Sequence, residues 1–436
     1  MAVYQDPWTL TNESVVKSYK PLRNQKDLDP LMDKIGDAKY VLLGESTHGT
    51  HEFYTWRAAL SQRLIEEKGF SFIAVEGDWP DCYGINRYVK SYPDTPEKIS
   101  EVLLNFRRWP TWMWANWETA ALAEWLKKCN KNKAPELQVG FYGLDVYSLW
   151  ESLEAMLEYL QKNDPPSAKL VKEAMKCFEP YEEGSIYGRS SGNISESCAN
   201  SVIKILQQIK RNAPSYNHDP EAPLNTSQNA LVTVNAERYY RSMVSWGPES
   251  WNLRDTHMVE TLDNLMKHHG PAAKAIVWEH NTHIGDARAT NMSRNGMLNV
   301  GQLIREQHSA EGVVLIGFGT YEGSVVAGRG WGENMEEMPV PPARIGSVEE
   351  ILHRESPENK LLIFDNEDVK KHFMKNLGHR AIGVVYHPER EAGNYVPTML
   401  PSRYDAFIFI DKTTALHPLH IIPSGHLVPE TYPFTF

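Results

Sequence analysis

Glu45, Ser46, Thr47 and His48 follow directly on an apolar run that stops at Gly44. A histidine at such a turn suits a general base, which needs a neutral imidazole with one nitrogen free and the other fixed by an acceptor. Glu45 and Glu76, the latter in SFIAVEGD (71–78), are the carboxylates that can take the second ring N–H of His48. Arg57, in the amphipathic stretch that follows, is expected to reach back to a developing oxyanion or a carboxylate. His280 and His283, in WEHNTHIGD, add imidazoles that can donate to the same oxyanion or protonate a leaving alcohol. The chemistry is hydrolysis, with water activated by His48 attacking a carbonyl. A helix N-terminus should lower the pKa of His48, and Ser46 or Thr47 is expected to cap that helix.

Other readings compete. His280 and His283 have the spacing HxxH, and His48, Glu45 and Glu76 can complete a metal set for a metal-dependent hydrolase. GRSSG (188–192) is a literal G-x-S-x-G, but loop-like sequence precedes it where a nucleophile elbow needs a strand. Ser46 and His48 are too close in a tight turn for a good nucleophile–base pair. GFGTYEG lacks the spacing of a dinucleotide fingerprint, and there is no Walker A sequence, so no cofactor is expected. Trp109, Trp112, Trp114 and Trp117 fall within twelve residues of RRWPTWMWANWE (107–118). They read either as a packed aromatic corner or as the apolar wall of a cleft, which also admits a binding protein without turnover. Arg241, Arg254 and Asp255 sit on helical stretches where salt bridges are the plain reading. Trp109, Trp112, Trp114, Arg254 and Tyr321 are the substrate-binding candidates.

Those residues have to be positioned. Short apolar runs rich in β-branched and aromatic residues occur at 38–45, 71–78, 137–145, 273–281, 312–320, 360–366, 381–388 and 405–411. Such runs fit strands covered on both faces of a mainly parallel α/β sheet, whose ligands bind beyond the carboxyl ends of the strands. Glu45, Glu76, Asp78, Asp145, Glu279, His280, Tyr321 and Glu322 all fall at those ends. Phe53, Trp56, Leu60 and Leu64 share a helical face, and Gly69 closes that helix. Residues 146–270 read as helical, with a polar link near 212–227. The division is 1–145 and 271–436 for the two parts of the core, with a helical lobe at 146–270 inserted between the third and fourth strands.

The bulk properties exclude some functions. The 436 residues carry a dispersed net charge of −11, unsuited to holding nucleic acid through its phosphates. No apolar run is long enough to span a bilayer, and the start lacks the pattern of a secretory signal. Cys82, Cys129, Cys177 and Cys198 are far apart, which favours reduced thiols over a disulfide framework. A cytoplasmic protein with a small-molecule substrate is expected.

VLLGESTHGTHEFYTWRAAL, FIAVEGDWPDCYGINRYV, RWPTWMWANWE, VGFYGLDVYSLW, RDTHMVETLDNL, IVWEHNTHIGDAR and NVGQLI with VVLIGFGTYEGSVVA together resemble the erythromycin esterase family, in order and over nearly the whole chain. Relatives labelled succinoglycan-biosynthesis-like are also similar. The resemblance implies a three-layer α/β/α core with a helical lobe over a deep cleft, and hydrolysis of a macrolide lactone without a required metal. It also implies that the family's catalytic histidine and glutamate correspond to His48 and Glu45. Arg57, Glu76, and the pair His280 and His283 match further family positions. The chain departs at Glu279, where family members often carry a small residue. A negative charge there is expected to favour protonation of the neighbouring histidines.

Overall fold

The computed structural model describes residues 19–179, 196–217, 220–243, 247–365 and 367–419. The N-terminal stretch and the GRSSG motif lie outside them, as do residues 218 and 219 of the polar link. The strands are β1 (Tyr19–Pro21), β2 (Tyr40–Leu43), β3 (Phe72–Asp78), β4 (Gly140–Asp145), β5 (Ala275–Trp278), β6 (Val313–Gly328), β7 (Met335–Val340), β8 (Lys360–Ile363), β9 (Leu377–Arg380), β10 (Tyr395–Thr398) and β11 (Ala406–Thr413). The central sheet runs β1-β8-β11-β6-β2-β5-β3-β4. From β11 to β4 every neighbour is parallel, while β8 and β1 close one edge antiparallel.

Alternate side chains of each central strand enter different cores. Val41 and Leu43 of β2 and Ile73 and Val75 of β3 pack with Phe53, Leu60 and Leu64 of helix α1 (His51–Lys68) and with Leu122 and Leu126 of α2 (Trp117–Asn130). Tyr40, Leu42, Phe72 and Ala74 pack instead with Met258, Val259, Leu262 and Leu265 of α3 (Glu249–His269) and with Val300 and Ile304 of α4 (Val300–His308). Helices therefore cover both faces of the sheet. Each fully buried Leu or Phe contributes about 1.5–3 kcal/mol. Burial on both faces explains why these strands read as unbroken apolar runs. Helix α1 ends where expected, at Gly69, with φ of 69°.

Between β4 and β5 the described residues are helical. Leu149–Asn163, Pro165–Phe178, Glu196–Asn212 and Ala222–Ser242 share a core of their own. Helix α3, which the sequence groups with that lobe, packs on the sheet and carries Arg254 and Asp255 to it.

Three expectations are corrected. Residues 381–388 are not a strand. The strand there is β9, paired antiparallel with β10 outside the central sheet. Ile382 and Tyr386 are buried under the β6–β7 hairpin with Val325 and Val340, so their apolar character reflects packing without a ladder. Second, β6 does not stop at GFGTYEG. It runs past the sheet edge to Gly328, pairing with β7, so Tyr321 and Glu322 lie within a strand. Third, Cys177 and Cys198 form a disulfide (Cα–Cα 5.7 Å) between the packed helices Pro165–Phe178 and Glu196–Asn212, a proximity their sequence separation does not reveal. Among the described residues no helix is long and apolar enough to cross a membrane.

Candidate active site

Beyond β2 the chain turns through residues 44–50, and neighbouring elements pin that turn. The backbone N–H of Asn281 donates to the Glu45 carbonyl (2.8 Å), Ile382 N–H to the Ser46 carbonyl (2.8 Å) and Val326 N–H to the Gly49 carbonyl (3.0 Å). Two glycines make this lacing possible. A Cβ on Gly44 would lie 2.0 Å from Asn281 Oδ1, and one on Gly49 would lie 1.9 Å from Val326 O. Neither Ser46 nor Thr47 caps the helix, contrary to expectation. The N-cap is Thr50, without a side-chain cap bond, and Thr47 Oγ1 pairs with Thr50 Oγ1.

His48 lines the cleft beyond the strand ends, and its Nδ1–H donates to Glu45 Oε1 (3.0 Å). That bond leaves the lone pair of Nε2 on the cleft side. The other oxygen of Glu45 accepts from Arg57 Nη2 (2.6 Å). Arg57 is fully buried between the rings of Tyr54 and Trp278, with its guanidinium 4.6 and 4.7 Å from their centroids. It does not line the cleft; of the two partners expected from the sequence, an oxyanion or a carboxylate, it takes the carboxylate, from a position behind Glu45. The expected depression of the His48 pKa is also corrected. Burial would lower it, but the carboxylates of Glu76 and Glu45 more than offset burial and hold it above the ordinary imidazole value.

Glu76 accepts from Arg254 Nη2 (2.7 Å) and from the His280 backbone N–H (2.8 Å). Burial would raise its pKa, yet His283, His48 and Arg254 together hold it well below the usual carboxylate range. Arg254 is also paired with both oxygens of Asp145 (2.9 and 2.7 Å), and its Nη1 donates to His283 Nε2 (3.0 Å). His283 Nδ1–H is shared between the two oxygens of Asp255, at 3.0 Å each. Both ring nitrogens of His283 are thus engaged by protein groups, and its ring stacks on Trp251 (centroids 4.5 Å).

His280 differs. The Thr282 N–H donates to its Nδ1 (3.3 Å), which leaves the ring proton on Nε2. That Nε2 is buried and makes no well-aligned hydrogen bond among the described residues, although the Ser46 backbone lies near the ring. Burial, and then the neighbouring His48, push the His280 pKa well down. The two rings lie 4.8 Å apart at their centroids, so a basic Nδ1-protonated imidazole stands beside a neutral Nε2-protonated one. Glu279 does not act as expected. Its carboxyl is fully buried, with both oxygens unpaired among the described residues, and burial followed by the nearby Glu76 raises its pKa far above the usual range. Burial therefore favours the neutral carboxyl over the charge expected there.

The cleft has a volume of about 630 Å³, within the range of small-molecule sites. Trp109 and Trp114 line it, their indole N–H groups tied to the carbonyls of Glu333 (2.8 Å) and Glu76 (2.9 Å). Arg254 lines it too. Trp112 is buried elsewhere and does not line it, Trp117 is 59% exposed, and Tyr321 stacks on His353 (centroids 3.6 Å) away from the cleft. Sequence reasoning did not single out Trp251, Trp331, Tyr147 or the segment from Ala381 to Pro397 as cleft wall. Asp78 also lines it, with Oδ1 unpaired among the described residues, and burial pushes its pKa up to about 7. The signal for Asp78 was its strand-end position. For the 381–397 wall an apolar run read as a strand concealed it. A metal set at this cluster would need free ring nitrogens, and His283 has none to offer. Among the described residues, the groups of three or more donor atoms within 4.8 Å of one another lie elsewhere.

Residues 65–413 match the family described as Erythromycin esterase. The chain belongs to the erythromycin esterase family. The match begins after His48 and Arg57 and includes Glu76, Arg254, His280 and His283. Within this family of hydrolases, the chain is 22% identical over 387 residues to erythromycin esterase type II of Escherichia coli, spanning 83% of this chain and 89% of that protein. Its fold is similar to that of a succinoglycan biosynthesis protein, with a TM-score of 0.76, 21% identity, and 93% and 97% of the two chains covered. It is also similar to that of an erythromycin esterase variant, EreC, in its open conformation, with a TM-score of 0.67, 16% identity, and 93% and 99% coverage.

Proposed function

We propose that this erythromycin esterase relative hydrolyses a carboxylic ester or lactone, with His48 as the general base for water. The observation that carries the reading is the line Arg57–Glu45–His48, which ends at the cleft in an Nε2 unshared among the described residues, 4.8 Å ring to ring from the Nε2-protonated His280. In the step envisaged, Nε2 of His48 takes a proton from water as the water oxygen bonds to the carbonyl carbon. Glu45 balances the imidazolium that forms. The carbonyl oxygen becomes an oxyanion and accepts from His280 Nε2–H, a buried donor without a well-aligned hydrogen bond among the described residues. Collapse breaks the bond between the acyl carbon and the alkoxy oxygen, and His48 returns its proton to the leaving alkoxide. The products are an acid and an alcohol, or a single hydroxy acid from a lactone.

Glu76 and Arg254 hold the His280 backbone and His283, and so position the donor. Trp109 and Trp114 give the cleft the apolar walls that a large, weakly polar acyl or alcohol group needs. The family and its Escherichia coli member support a macrolide lactone as the first substrate to try. The test is product analysis by mass spectrometry of the purified chain with a macrolide lactone and a panel of aryl esters. Addition of one water to at least one of them, lost in His48→Asn, is the expected result. Turnover unaffected by that substitution would overturn the assignment of His48.

A further inference from the structure

Away from the cleft, two groups of side chains bring three metal-ligating atoms within 4.8 Å of one another: His51, Glu118 and His417, and Glu221, His268 and His269. The second is already neutralised. Glu221 pairs with the Lys90 ammonium at 2.7 Å, which would repel an added cation. The first has no Lys or Arg paired with its carboxylate among the described residues. There, Nδ1 of both imidazoles converges on the same oxygen, Glu118 Oε1, at 2.5 Å from His51 and 2.6 Å from His417.

Three chain segments meet at this point, and their backbones are fixed to one another. His51 N–H donates to the Thr414 carbonyl (2.9 Å), Trp117 N–H to the His417 carbonyl (3.0 Å) and Leu419 N–H to the Ala115 carbonyl (2.9 Å). The Glu118 side chain is 5% exposed, whereas those of His51 and His417 are 34% and 60% exposed. A carboxylate thus forms the base, two imidazoles stand over it, and the remaining direction opens to solvent. Two imidazoles, one carboxylate and an open position suit a borderline divalent ion of the zinc class. Bonds of about 2.0–2.1 Å in tetrahedral array place donors roughly 3.3 Å apart. Each imidazole would therefore move by under about 1 Å, which half-exposed rings can supply.

We propose that His51, Glu118 and His417 bind one zinc-class divalent ion, completed by water, and that the ion fastens the strap 414–419 to the first turn of α1. On this assignment a metal found in the purified protein does not by itself make the cleft chemistry metal-dependent. The test titrates zinc into the full-length chain, stripped of metal by chelation, with calorimetry and thermal melts as readouts. One ion per chain is expected, bound at micromolar Kd or tighter, with a raised Tm. In His417→Ala and Glu118→Gln the affinity should fall at least tenfold and the Tm response should vanish, while His48→Asn should bind as the parent does. His417 is exposed enough for its variant to fold, and the metal-free Tm checks that. Any other pattern overturns the proposal: no ion bound more tightly than about 100 µM, undiminished binding in His417→Ala, or loss in His48→Asn.

Discussion

His48 and His283 stand at the same edge of the same sheet, and each gives its Nδ1–H to a carboxylate, Glu45 in one case and Asp255 in the other. They differ at the second nitrogen. Arg57 lies behind Glu45, so the Nε2 of His48 is left to the cleft. Arg254 lies in front of His283 and donates to its Nε2. On the proposed reading, the same pair of residue types serves as a base in one place and a brace in the other, according to which side the arginine approaches. Chemical role at this edge is set by the third group, which residue type and strand-end position do not reveal.

Substitutions can break or sharpen that contrast. The largest effect is expected for His48→Asn, which should lower kcat by about 10²–10⁴-fold, the range lost with a general base, while leaving Tm close to the parent value. Glu45→Gln comes next, with an expected loss of about 10²-fold and a lower Tm, because Arg57 loses its buried anion. Its pH profile carries further information. Glu76 and Glu45 raise the His48 pKa against burial, and only the neutral imidazole accepts a proton. The acid limb of kcat/KM should therefore lie above 6.5 in the parent and move down in Glu45→Gln. The same sign applies to folding. The stabilisation that comes with the raised pKa is complete below the ordinary imidazole value and is lost as pH rises through the folded one.

His283→Asn should cost less than about tenfold in kcat and about 1–3 kcal/mol of stability, because it strips partners from buried Arg254 and Asp255. Tyr321→Phe should do least, within about 0.5 kcal/mol in stability and with unchanged kinetics, since that ring stacks on His353 outside the cleft. A large kinetic defect there would mean that the cleft is misdrawn.

The sequence made the parallel core legible because β2, β3 and β11 are buried on both faces and so carry unbroken apolar runs. It also led to His48, Glu45, Glu76 and His280, since strand ends in such a sheet converge on one edge. The division of labour among them was not legible. Arg57 and Arg254 are both arginines on helices, and only the packing shows that one supports a carboxylate and the other occupies an imidazole. Trp109, Trp112 and Trp114 are close in sequence, yet a local 3-10 turn at Thr111–Met113 sends Trp112 away from the cleft. The charge expected on Glu279 failed for a different reason. Full burial without a partner among the described residues disfavours the charged carboxyl, and burial depends on the whole fold.

The contrast between the two imidazoles is tested most directly by measuring kcat for His48→Asn and His283→Asn on the same ester or lactone, at one pH and with both variants shown to be folded by thermal melts. The account predicts that the first variant is slower than the second by at least about tenfold, and that only the first falls by the 10²–10⁴-fold typical of a missing general base. Equal losses, or a folded His48→Asn that turns over at the parental rate while His283→Asn does not, would contradict it.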